Sequence, residues 1–80
     1  MNEDIEIEIQ YILINEYGEF TGEVMIVNEE QCETILQLSK NFYEGGFELN
    51  CEDGSFVVFP PEVVRRSILK INRKKVEKDV

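Results

Sequence analysis

The chain has 80 residues and a net charge of −9, with no His and no Trp. That length fits one domain with a thin core, and the hydrophobic fraction of 42% lies in the globular range and argues against disorder. The charge is divided: residues 1–60 hold fourteen Asp/Glu against Lys40 alone, a net of −13, whereas residues 61–80 carry a net of +4.

Ile5, Ile7 and Ile9 alternate with Glu6, Glu8 and Gln10. Period two with β-branched residues predicts a strand from Asp4 to Ile14. Its second half, Tyr11-Ile12-Leu13-Ile14, is apolar on both faces and is expected to be covered on both sides or to lie mid-sheet. Asn15–Glu19 reads as a turn around Gly18, and Phe20–Val27 as a single return strand.

Asn28 is then placed as a helix N-cap. Glu29 and Glu30 fall in the first turn, and Gln31 completes a capping box. Cys32, Ile35, Leu36, Ser39 and Phe42 share one helical face, with Leu38 at its margin. Gly45-Gly46 ends the helix.

Phe47–Cys51 and Phe56–Phe59 flank Asp53-Gly54, a strong hairpin signal. Pro60-Pro61 closes the second of these strands. Pro61–Arg66 predicts one helical turn and Ser67–Asn72 a last strand. The expected fold is α+β: a small antiparallel sheet of about five strands, in the order ββαββ-turn-β, with one helix packed on one face. Residues 1–72 form the domain, and residues 73–80 form a basic, frayed tail or a short polar helical extension. Ile7, Ile9, Leu36 and Phe56 are expected in the core.

Function is harder to read. Acid–base or nucleophilic catalysis of the usual kind wants His or clefted carboxylates, and the acids here fall on expected surface. Two isolated Cys with no His do not make a zinc site, so Cys32 and Cys51 are expected as buried thiols. Asn50, Glu52, Asp53 and Ser55 lack the spacing of a calcium loop. No cofactor is expected, and no apolar run is long enough for a membrane span. The acidic N-terminus lacks the basic and then apolar pattern of a secretory signal, which suits a cytoplasmic protein.

What remains is binding. Glu6 and Glu8 on the outer face of the first strand, with Glu29, Glu30 and Glu33 at the helix start, would form an acidic face for a basic protein partner, in the extreme as a mimic of nucleic-acid phosphates. The alternative is a nucleic-acid-binding module that uses the 65–78 segment, with Arg65, Arg66, Arg73, Lys74 and Lys75 on phosphates. Repulsion by the acidic body disfavours that alternative. Open sheet edges also allow a homodimer, against which Lys70 could stand as an edge guard.

Overall fold

The computed structural model describes residues 5–76. The fold is α+β with antiparallel sheets and one main helix, but among the described residues the strands number six and divide between two sheets. The single sheet of about five strands is therefore corrected.

The organising element is strand β1, Glu6–Asn15. It pairs with β2 (Gly18–Thr21) and β3 (Met25–Asn28) along one edge and with β6 (Ile68–Lys75) along the other. Ile14 lies opposite Ile68, and the register runs unbroken to Ile7 opposite Lys75. Strands β4 (Phe47–Asn50) and β5 (Phe56–Phe59) form a separate hairpin, joined to the larger sheet by a bridge between Gly22 and Cys51.

The expected return strand Phe20–Val27 is broken into β2 and β3. Tyr11 accepts a hydrogen bond from the Gly22 amide at 2.8 Å, while Ile9 lies opposite Met25. Glu23 and Val24 therefore oppose Gln10 alone, a bulge that bends the strand. The Glu23 amide turns to the carbonyl of Asn50 (2.9 Å), and the Gln10 Nε2 donates to the Gly22 carbonyl (2.9 Å). Gly22 makes a close approach here. A Cβ at this position would stand 2.7 Å from Leu49 Cδ1, so the buried Leu49 side chain would have to shift.

Helix α1, Glu29–Ser39, starts as its sequence dictates. Asn28 Oδ1 accepts from the Gln31 amide (2.7 Å), and Gln31 Oε1 accepts from the Asn28 amide (3.0 Å). The helix ends at Ser39, so Phe42 enters the core from a short 3-10 turn, Phe42–Glu44, rather than from the helix face. Cys32 is the buried residue of α1, and Ile35, Leu36 and Ser39 are half-buried.

The core lies between one face of the larger sheet and the inner face of the β4–β5 hairpin. Leu13, Phe42, Leu49, Cys51, Phe59, Val63 and Val64 form its centre. Phe47 touches three rings: Tyr11 at 5.9 Å, Phe42 at 5.0 Å and Phe59 at 6.5 Å between centroids. A short helix α2, Pro61–Val64, inserts Val63 and Val64. Of the expected core, Ile9 is fully buried, Ile7 and Leu36 are half-buried, and Phe56 is 56% exposed. Phe56 is thus corrected. Phe47 pairs with Phe59 and Leu49 with Val57, so those two residues of β5 face inward and Phe56 and Val58 face out.

Strand β6 runs three residues beyond the expected end of the domain at Asn72. Arg73, Lys74 and Lys75 pair with Ile9, Glu8 and Ile7, and the Val76 amide donates to the Glu6 carbonyl at 2.9 Å. Residues 77–80 of the expected tail lie outside the described residues.

Candidate functional site

Strand β1 sorts its side chains by parity. Ile7, Ile9, Tyr11 and Leu13 face the helix and hairpin, while Glu6, Glu8 and Gln10 face outward. Glu6 and Glu8 are half-buried rather than fully exposed. Glu6 lies opposite Asn28, the cap of α1, so Glu29 and Glu30 begin at the same end of the sheet. Glu29, Glu30 and Glu33 are all exposed.

The acidic and basic segments are neighbours. Glu8 lies directly opposite Lys74, and Lys75 lies next to Lys74 at the end that holds Glu6 and the start of α1. A shallow hollow is lined by Glu8, Lys74, Lys75 and Val76. Glu6 and Glu8 therefore stand in the field of a basic strand, and the face they share with the helix acids is locally mixed in charge.

The basic residues, in contrast, are spread out. A helix would gather them, but a strand extends them. At about 3.3 Å per residue, Lys70 and Lys75 of β6 are about 16 Å apart along the strand. Arg65 caps the C-terminal end of α2, and Arg66 is held by Glu16, with Nε 3.1 Å from the carboxylate. Both arginines are exposed, as are Arg73, Lys74 and Lys75. Arg73 and Lys75 share the face of Ile9 and Ile7, and Lys74 and Lys70 point to the other face.

The last strand lies at a sheet edge, as expected, and the edge extends past Asn72 to Lys75. In an antiparallel pair the residues alternate between those that bond the neighbour and those that point away. The bond from the Val76 amide to Glu6 sets the phase, so Lys74, Asn72, Lys70 and Ile68 bond β1. The bond from Gly22 to the Tyr11 carbonyl, on the opposite edge of β1, agrees with this phase. Leu69, Ile71, Arg73 and Lys75 therefore direct their amides and carbonyls outward. Among the described residues no strand pairs with that edge.

Next to it is an apolar groove of about 330 Å³. Tyr11 and Leu69 of the sheet, Ile35 and Leu38 of α1, and Phe42 and Phe47 line it. Leu38, at the rim, is 68% exposed. Burial raises the Tyr11 phenol above its ordinary pKa.

The Asp53 carboxylate accepts from the Ser55 amide (2.9 Å) and hydroxyl (2.7 Å), which lower its pKa and tie the hairpin tip. Among the described residues no three His, Cys, Asp or Glu gather to hold a metal ion. Cys32 and Cys51 are buried free thiols, and among the described residues no helix is long and apolar enough to cross a membrane. Comparison with family models, curated proteins and solved structures finds no match.

Proposed function

We propose that this chain is a non-enzymatic interaction module that binds a basic protein partner through its acidic surface. The observation that carries the reading is the start of α1. Asn28 and Gln31 already satisfy its capping hydrogen bonds, so Glu29, Glu30 and Glu33 are not needed as caps. All three are exposed, and no described cation closes an ion pair with them. Glu6 and Glu8 extend the acidic region toward the sheet. Carboxylates arranged in this way steer a basic partner and raise its association rate.

The test is reversal of the helix charges, Glu29→Lys with Glu30→Lys and Glu33→Lys, assayed against a partner recovered with the wild-type chain. Association should slow by about tenfold or more at low salt, and raised salt should weaken the wild-type complex in the same sense. Equal association of the reversed protein overturns the reading.

The second reading is nucleic-acid binding through Arg65, Arg66, Arg73, Lys74 and Lys75. It is favoured by their exposure and opposed by their spread and by the carboxylates beside them. Salt-dependent binding of duplex DNA by the wild-type chain, lost in Arg73→Gln with Lys75→Gln, would select it.

A further inference from the structure

We propose that the outer edge of β6 is a docking edge for an extended acidic segment of another protein. The segment adds to the sheet as an antiparallel strand and seats apolar side chains in the groove beside Leu69. This surface is separate from the start of α1.

Three observations converge on it. The amides and carbonyls of Leu69, Ile71, Arg73 and Lys75 point outward along an eight-residue strand with no described partner strand. Such an edge is a template for strand addition. It also carries four exposed cations, Lys70, Arg73, Lys74 and Lys75, of which Lys74 lies opposite Glu8. Finally, the apolar groove is lined by Leu69, on the same face as Ile71, Arg73 and Lys75.

Cations on an edge strand are commonly guards against self-pairing, and here they oppose two of its registers. Pairing β6 with a second copy about Asn72 sets Lys70 against Lys74, and pairing about Arg73 sets the two arginines against each other. Like charges directly opposite destabilise a ladder. Pairing about Ile71 sets Lys70 against Asn72 and Lys74 against Ile68, so charge alone does not exclude a second copy, but all four cations favour an acidic strand.

Register then specifies the ligand. Side chains opposite Arg73 and Lys75 should be acidic. Those opposite Leu69 and Ile71 should be apolar, to meet the groove. On the other face, positions opposite Lys70 and Lys74 should again be acidic. In antiparallel order this reads Glu-Glu-Glu-Thr-Val-Glu-Ile-Thr, and that peptide, fluorescently labelled, is the probe.

Titration of the full chain should show saturable binding of this peptide below millimolar concentration. The version with Lys for every Glu should bind at least about tenfold more weakly. N-methylation at the third and fifth residues, whose amides would face β6, should abolish binding. N-methylation at the fourth and sixth, whose amides face away, should leave it. In the protein, Arg73→Pro removes an outward amide without touching a bond to β1 and should abolish binding, whereas Arg73→Gln should only weaken it.

The methylated peptides keep the test decisive should the proline variant fail to fold. Absence of binding at millimolar peptide, equal binding of both methylated forms, or equal binding of the Lys version each overturns the proposal. A concentration-dependent dimer of the wild-type chain that Arg73→Pro dissolves would assign the edge to a second copy and overturn it as well.

Discussion

Asn15 Nδ2 donates to Ser67 Oγ at 3.1 Å and so joins the last residue of β1 to the entry of β6, 52 positions further along the chain. Ser67 is 3% exposed, and its hydroxyl in turn donates to the Val63 carbonyl at 2.7 Å. Asn15 Oδ1 accepts from the Tyr17 amide at 2.8 Å. One small polar chain thus fixes the β1–β2 turn, the end of α2 and the start of β6. Ser67→Ala removes both hydrogen bonds of the hydroxyl, while the Val63 carbonyl keeps the Arg66 amide at 3.0 Å, and should cost about 0.5–1.5 kcal/mol. In a double-mutant cycle with Asn15→Ala, the coupling measured by urea denaturation should be about 0.5–1.5 kcal/mol. Strict additivity would mean the link contributes nothing.

Gly22 should not tolerate a side chain. Gly22→Ala places a methyl 2.7 Å from Leu49 Cδ1 and 3.4 Å from two carbonyl oxygens. Overpacking of this kind costs about 1–3 kcal/mol. The cost of adding Leu49→Ala should be smaller in the Gly22→Ala background than in the wild type, because the clash has gone. An unchanged denaturation midpoint for Gly22→Ala would contradict the close approach.

The two ends of β5 should respond differently to truncation. Phe59→Ala removes a buried ring that contacts Phe20 at 5.1 Å and should cost about 3–5 kcal/mol. Phe56→Ala should stay within about 1 kcal/mol, as expected of a surface substitution. Leu36→Ala, on the half-buried side of α1, should cost about 1–2 kcal/mol, less than a fully buried leucine. Thermal denaturation of the three variants ranks them, and a Phe56→Ala loss as large as that of Phe59→Ala would reverse the assigned faces.

Alkaline pH should destabilise the fold through Tyr11. Burial raises its folded pKa above the ordinary value of 10.0, so the neutral phenol is favoured in the fold. The contribution is intact below the unfolded value. Above it the unfolded chain releases the proton first, and stability is lost as pH rises toward the folded value. Tyr11→Phe should therefore flatten the fall in stability on the alkaline side relative to wild type. Parallel pH profiles for the two proteins would rule out this origin.

Where local periodicity carries the information, the elements follow from the sequence. The alternation Ile5–Gln10, the Asn28–Gln31 cap and the Asp53-Gly54 turn each specify their structure without help from distant residues. The break in Phe20–Val27 is different. It depends on Gly22 meeting Leu49 and on Glu23 bonding Asn50, contacts 27 positions away that leave no local trace. Phe56-Val57-Val58-Phe59 is apolar on both faces, so its phase comes only from its register with Phe47 and Leu49. Arg73–Lys75 carry no hydrophobic signal because both faces of that edge meet solvent, and pairing with Ile7–Ile9 makes them a strand. The acidic residues were placed on the surface from sequence, but the nearness of Glu8 to Lys74 needed the β1–β6 register, which no short window contains.

That register also bears on how fast the chain reaches its native state. The nearest partners in the β1–β6 ladder, Ile14 and Ile68, are 54 positions apart, and the farthest, Ile7 and Lys75, are 68 apart. The hairpins and α1 can form from neighbouring residues, but the central strand acquires its second neighbour only after nearly the whole chain has been closed into a loop. The entropy of that closure must be met before its contacts give any return. Folding should therefore take milliseconds to seconds rather than microseconds, and substitutions such as Ser67→Ala at the entry of β6 should report when, along the folding reaction, the loop closes.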